Sequence, residues 1–322
     1  MRFVEPKFEI VKQNSGLDGM FELITNAGYT CYKSTKEITP ESARKFTEAL
    51  IKNGHGAMLE HGTVYLVMPW TTTDFSAKVK SFKYKNNHFS KVKYVEDGHN
   101  HLTAYVTTNY RVIAENNWFE DLEYWSEPTP YHEKRITVRF WMDRIGTQSV
   151  ERHRGENGIS FAQESTRHCN YSKEEKFGKG GVKISVPHWT SKNELESIVN
   201  NKDNYTTTLD LIFHEFLNGK ETELKNPIAN KLYYWLAAND FSEFCYLRLI
   251  DCGTPAEDAR AVLPFDLDSE MIMTAFEKDW EHFFDLRSRG TTGRPHPDIK
   301  KIADALLAEF ETIKGESEQS AS

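Results

Sequence analysis

Arg135-Ile-Thr-Val-Arg-Phe-Trp141 sets Ile136, Val138 and Phe140 on one face, the period-two pattern of a half-buried strand. Upstream, Val64-Tyr-Leu-Val-Met-Pro-Trp70 and Thr103-Ala-Tyr-Val-Thr-Thr108 share its enrichment in β-branched and aromatic residues. The three stretches read as strands of one antiparallel-type sheet. Downstream the period changes, with helical spacing over 192–217, 227–250, 255–262, 268–288 and 297–314. Strands first and long helices later, without β-α-β alternation, predict an α+β fold: a sheet packed with long helices and a C-terminal half that is mainly helical. An early helix is also marked. Thr39 caps, Pro40 suits the first helical position, Ala43, Phe46, Leu50 and Ile51 form the apolar stripe, and Gly54 terminates, which predicts a helix over 40–53.

The chain has 322 residues, 39% apolar and 27% charged, enough for a sizeable core. No linker or internal repeat divides residues 1–315, so a single catalytic-size domain is expected, with 316–322 as a flexible polar tail. The formal charge of −8 argues against a surface built throughout for nucleic acid or anionic membranes. No apolar run is long enough for a signal peptide core or a bilayer span, and Cys31, Cys169, Cys245 and Cys252 form neither a C-x-x-C pair nor a disulfide framework. A cytoplasmic protein without a membrane or metal partner is the expectation.

Charge is nevertheless uneven. Residues 134–180 carry ten Lys/Arg against six Asp/Glu, a local +4. At its centre lies Arg152-His153-Arg154, followed by Ser160-Phe-Ala-Gln-Glu-Ser-Thr-Arg167. Guanidinium forks, hydroxyls and turn amides together suit a phosphorylated ligand, although a solvated basic face with ordinary salt bridges has the same composition. A second cluster is Gly54-His55-Gly56-Ala57-Met58-Leu59-Glu60-His61, a turn between helix and strand whose histidines stand six apart, which does not match helical metal-ligand spacing. Glu257 and Arg260 stand at i and i+3 on a short helix opened by Thr254-Pro255 and closed before Pro264, a spacing that fits an intrahelical ion pair. Trp280, Phe283 and Phe284 read as core, leaving His282 and Arg287 as the polar positions of that stretch. No G-x-G-x-x-G after a strand, P-loop or G-x-S-x-G elbow occurs.

Arg152-His-Arg154, the 160–167 block, the His55/Glu60/His61 turn, Ala259-Arg-Ala-Val-Leu-Pro264 and His282-Phe-Phe-Asp-Leu-Arg287 follow the order of the flavin-dependent thymidylate synthases, the ThyX family, which the chain resembles over most of residues 15–310. The resemblance implies reductive methylation of dUMP to dTMP, with 5,10-methylenetetrahydrofolate giving the carbon and FAD, reduced by NADPH, giving the hydride. It also implies a homotetramer with sites at subunit junctions, and insertions around 80–130 and 173–230. Carried over, His55, Glu60, Arg152, His153, Arg154, Gln163 and His282 are FAD-binding positions. Ser149, Gln163, Glu164, Ser165, Thr166, Arg167, Arg260 and Arg287 are dUMP-binding positions, with Arg287 the catalytic residue that polarises the uracil. Ser165 is a positioning hydroxyl in this reading, not a nucleophile.

The chain departs from the family pattern at four places. The Gly155-Glu-Asn-Gly-Ile159 spacer is about three residues longer than usual, Ser149 stands where relatives carry Gln or Glu, His168 replaces a Tyr, and Ala57 replaces a hydroxyl residue. Two other readings accompany the enzyme: a basic-patch module binding anions or single-stranded nucleic acid through 134–180 and the aromatics of 118–131, and a family member that binds FAD without turning over.

Overall fold

The computed structural model describes residues 2–70, 76–96, 102–153, 158–178, 181–219 and 227–319, with 227–230 and 315–319 as backbone only. In chain order the elements are β1 (Arg2–Val4), β2 (Lys7–Val11), α1 (Gly16–Tyr32), α2 (Pro40–Lys52), α3 (Gly56–Leu59), β3 (Thr63–Trp70), α4 (Ser76–Lys85), β4 (Lys91–Glu96), β5 (Leu102–Asn109), α5 (Tyr110–Glu115), β6 (Arg135–Asp143), α6 (Arg144–Glu151) and β7 (Ser160–Gln163). There follow α7 (Glu174–Phe177), β8 (Lys183–Ser185), α8 (Lys192–Asn200), α9 (Lys202–Asn218), α10 (Pro227–Asp251), α11 (Ala256–Ala259), β9 (Asp268–Phe276), α12 (Glu277–Phe284) and α13 (Pro297–Gln319). Mixed helix and sheet without regular alternation is the α+β architecture expected. The chain forms two compact units: Met1–Lys7, Trp141–Gln148 and Ser165–Ser269 in the first, Phe8–Phe140, Ser149–Glu164 and Glu270–Ser322 in the second.

The first unit is mostly helical. Parallel strands β1 and β8 pair Phe3 with Ile184, and the core gathers Phe3, Ile184, Leu195, Leu236 and Tyr246 around them. Asn201, at φ −82° and ψ 71°, divides the helical run predicted over 192–217 into α8 and α9.

The second unit holds two sheets. One is the antiparallel β3-β5-β4 meander, in which Val64 faces Thr108 and Met68 faces Ala104. Val64, Leu66 and Met68 are fully buried with Met20 and Ile24 of α1 and Ala43 of α2. The capping of α2 follows its sequence: Thr39 Oγ1 accepts from the Ser42 amide at 3.2 Å while Ser42 Oγ accepts from the Thr39 amide at 2.8 Å. The other sheet has the order β2-β6-β9-β7. The single predicted sheet is therefore two, because β6 pairs away from β3 and β5.

A larger correction concerns 268–288. Residues Asp268–Phe276 are a strand, and only Glu277–Phe284 is α-helix. All nine residues of β9 are buried, and its apolar residues Met271, Ile272, Met273, Ala275 and Phe276 fall on both faces among buried polar ones, so the period-two signal is erased and the stretch suits either helix or strand. At the other end of the chain, α13 continues to Gln319, into residues whose composition marked a tail; positions 320–322 lie outside the described residues.

Residues of α4, β4 and β5 join the second unit's core. Tyr84, fully buried, donates its hydroxyl to Asp121 Oδ2 at 2.6 Å, and Lys83 Nζ lies 2.6 Å from the same oxygen. Asp121 is itself completely buried, so losing a donor leaves a desolvated carboxylate short of partners. Tyr84→Phe is expected to lower unfolding free energy by about 1.5–3 kcal/mol, the range for a hydrogen bond to a charged group. Urea unfolding measures it; a change under about 0.5 kcal/mol, within the range of an ordinary surface substitution, excludes that role for the hydroxyl.

Candidate active site

In the second unit, segments far apart in sequence meet around Arg287. Helix α12 buries Trp280, Phe283 and Phe284 completely, which turns His282 outward. The chain then widens into a π-helical turn, Asp285–Arg289, a distortion that functional sites often use. Arg287 sits on this turn, half-buried, and its Nη2 donates to the Ser149 carbonyl at 2.8 Å. Its Nε is buried without a hydrogen-bond partner among the described residues. Burial, and then the nearby charge of Arg152, pull the Arg287 pKa down. Arg152 itself is exposed.

His153 completes this group. Its Nδ1 donates to the Val150 carbonyl at 2.9 Å, and its ring lies 5.0 Å from that of Phe283 and 6.1 Å from that of His282. Burial pushes its pKa down to about 4. The ring is therefore neutral at neutral pH, with the proton on Nδ1 and an acceptor lone pair on Nε2 that has no hydrogen-bond partner among the described residues. Arg154 and residues 155–157 of the long spacer lie outside the described residues.

The histidine turn divides into three environments. His55 is exposed at the start of α3. Glu60 pairs through Oε1 with Arg111, which also binds Glu115 at 2.7 Å. His61 is wholly buried, with Nδ1 2.8 Å from Thr274 Oγ1, itself 2.8 Å from Thr137 Oγ1. Burial and the Arg135 cation lower its pKa to about 3.

Gln163 and Glu164 end β7. Antiparallel register sets Gln163 opposite Met271, and the Glu164 amide donates to the Glu270 carbonyl at 2.8 Å. Glu164, buried, directs Oε2 to Lys33 Nζ at 3.1 Å, and the Glu270 amide donates to the same oxygen at 3.3 Å. Lys33 also reaches Glu270 Oε2 at 2.6 Å, while Arg139 Nε lies 3.3 Å from Glu270 Oε1. Two carboxylates facing across a strand pair are thus matched by two cations. Lys33 was not singled out from the sequence. Its one signal is spacing: Asn26, Thr30 and Lys33 stand at i, i+4 and i+7 on α1, where Asn26 accepts from Arg139 and Thr30 donates to Glu270 at 3.3 Å.

In the first unit, Ser165 opens a turn by accepting at its carbonyl from the amides of His168 and Cys169, at 3.1 and 2.9 Å. Arg167 Nε donates to Glu257 at 2.7 Å, and Arg260 Nη1 donates to Thr166 Oγ1 at 3.5 Å. Glu257 therefore pairs with Arg167, not in an intrahelical bridge with Arg260. Leu263, extended at φ −70° and ψ 140°, ends the helical turn before Pro264 as expected. Arg167, Arg260 and Glu257 are exposed, so the pair is open to an incoming anion.

The basic stretch 134–180 is not one solvated face: Arg135 is buried and donates to the Glu60 carbonyl at 2.9 Å, and Arg139 and Arg167 are ion-paired. Of the aromatics at 118–131, Trp118, Tyr124 and Trp125 pack against the core. Both observations weaken the nucleic-acid reading. Among the described residues, no helix is long and apolar enough to cross a membrane.

A flavin-dependent thymidylate synthase of Geobacter sulfurreducens is 27% identical over 133 residues, 41% of this chain and 53% of the relative. The chain thus spans about half the length of that curated relative. Among solved structures, two of the UMP/dUMP methylase PolB from Streptomyces cacaoi, bound with 5-Br dUMP and 5-Br UMP, align over 97% of this chain and 93% and 92% of theirs, at 14% identity with TM-scores of 0.41 and 0.42. The family profile Thy1, thymidylate synthase complementing protein, matches residues 127–314. That span is more than half of the sequence and takes in the arginine motif, the Ser160–Arg167 block, Arg260 and the His282–Arg287 turn, and the chain belongs to the Thy1 family.

Proposed function

We propose that this protein is a flavin-dependent thymidylate synthase, converting dUMP to dTMP with the carbon of 5,10-methylenetetrahydrofolate and reducing power from NADPH, in the cytoplasm and as a homotetramer. The observation that carries the reading is the grouping of Ser149, Arg152, His153, His282 and Arg287, drawn together from two stretches more than a hundred residues apart. Their chemistry fits FAD: an exposed guanidinium for a pyrophosphate, and a neutral imidazole whose Nε2 can accept from a ring N–H. Arg152, His153, Arg154 and His282 would hold it, with His55, Glu60 and Gln163. When bound and reduced, FAD supplies the hydride.

The protein's own residues do the rest. Ser165, Thr166, Arg167 and Arg260 bind the 5′-phosphate, which competes with Glu257 for the Arg167 guanidinium. Ser149, Gln163 and Glu164 border the nucleotide. Arg287, fixed by its bond to the Ser149 carbonyl, faces the uracil and stabilises the negative charge left when its N3 proton departs. A guanidinium remains cationic even with its pKa lowered, because it starts so high.

Purified protein should carry flavin absorption and release tritium from C5-labelled dUMP only when methylenetetrahydrofolate and NADPH are both supplied. Flavin without tritium release indicates a member that binds but does not turn over. Absence of flavin, with salt-sensitive oligonucleotide binding instead, overturns the proposal.

A further inference from the structure

Two buried carboxylates, Glu164 and Glu270, and two partly buried cations, Lys33 and Arg139, meet at the end of β7, immediately before the Ser165-Thr-Arg167 segment. Opposed carboxylates repel strongly in a site with little water. Glu164 is 3% exposed and Glu270 8%, so solvent does little to relieve them. Lys33 touches both, at 3.1 and 2.6 Å. Burial disfavours its charge, yet the two glutamates more than offset this and hold its pKa above the ordinary lysine value. Its backbone is committed as well: Lys33 closes α1 in the left-handed conformation, φ 48° and ψ 45°, an uncommon geometry for a residue other than glycine, asparagine or aspartate.

We infer that Lys33 is a positioning residue for the nucleotide segment: by bridging Glu164 to Glu270 it fixes the point from which Ser165, Thr166 and Arg167 depart. Glu164 is then the anchor of that segment through its side chain. The inference rests on the dUMP reading above. Without Lys33, Glu164 and Glu270 lose the cation they share, and the β7 terminus shifts to separate them. Ser165, which follows Glu164 directly in the chain, then departs from a displaced point.

Equilibrium binding of dUMP to the FAD-loaded protein, followed by calorimetry, tests this with four proteins. Lys33→Met should weaken dUMP binding by about tenfold or more, the scale of a broken buried pair that partly relaxes, and raise KM more than it lowers kcat. Lys33→Arg, which keeps the charge, should stay within about threefold of wild type, and Lys33→Met/Glu270→Gln, which restores charge balance, should recover most of the loss. A residue that merely secured α1 would lower thermal stability and flavin content in Lys33→Met without a selective dUMP effect, and Glu270→Gln would not rescue it. Lys33→Met binding dUMP like wild type overturns the inference, as does a failure of the double variant to recover. If Lys33→Met does not fold, Lys33→Arg and the double variant carry the comparison, and weak dUMP binding by both overturns it. Wild-type protein that binds FAD but no dUMP overturns the dUMP reading itself, and this inference with it.

Discussion

Replacing Arg287 by alanine is expected to reduce thymidylate formation by about 10²–10³, the loss seen when one preorganised donor to a developing anion is removed, while FAD stays bound. The two effects separate because Arg287 stands on the π-helical turn Asp285–Arg289, whereas the residues proposed to hold the cofactor are Arg152, His153 and His282. Arg287→Lys should be nearly as poor. Lysine keeps a charge but lacks the planar fork that lets Nη2 hold the Ser149 carbonyl at 2.8 Å while other N–H groups face the substrate. Folding should survive, since the guanidinium is half-buried and its buried Nε has no hydrogen-bond partner to lose among the described residues. Single-turnover tritium release from labelled dUMP, with flavin content measured on the same sample, gives the answer. Release within threefold of wild type removes Arg287 from the mechanism.

That Arg287 was legible in the sequence, and Lys33 was not, has a physical cause. Arginine on an otherwise aromatic helical stretch is conspicuous: Trp280, Phe283 and Phe284 take the core positions, and the remaining polar residues are few. Lys33 is one lysine among 40 Lys and Arg, and its importance comes from two partners, Glu164 and Glu270, 131 and 237 residues away. Pairing of buried charges over such separations leaves no local pattern. The same holds for Arg111 with Glu60, joined only because α3 and α5 pack together. Charge summed along 134–180 misled in the opposite sense. It treated Arg135 as one member of a surface island, whereas the strand places it in the interior, with Thr63 and Ser160 as further hydrogen-bond partners.

Elements were read well where one face is wet. Helix α2 shows its cap, stripe and glycine stop in order, and β3, β5 and β6 fell where β-branched and aromatic residues concentrate. Strand β9 defeated the same method because both of its faces are buried, and its partners decided its conformation. The turn after Gln163 was marked by its composition, while the strand leading to it was hidden among small residues: Ser160 and Ala162 alternate with Phe161 and Gln163 without an apolar face.

The buried histidines make a second large effect, this time on stability. An unfolded histidine takes up its proton near pH 6.5, whereas His153 resists until about pH 4 and His61 until about pH 3, in each case chiefly because burial disfavours the charged ring. Between those values the unfolded chain holds more protons than the folded one, so stability rises with pH and acidification removes it. The stabilisation from neutrality is complete above about pH 6.5 and is lost progressively below it, ending near pH 4 for His153 and near pH 3 for His61. Each ring contributes a slope of up to about 1.4 kcal/mol per pH unit, and over its whole range His61 contributes on the order of 5 kcal/mol. A loss of that size is comparable with the total stability of many domains, so acid unfolding should begin between about pH 5 and pH 4, before most carboxylates are protonated. Urea titrations at pH 7, 6 and 5 should show the midpoint falling at each step. His61→Gln, which keeps a side-chain amide to bond Thr274 and has no proton to gain, should lose about one proton's worth of that slope while being less stable at pH 7. A wild-type midpoint that stays level from pH 7 to pH 5, or a His61→Gln slope equal to wild type, would show that protonation of His61 does not oppose folding.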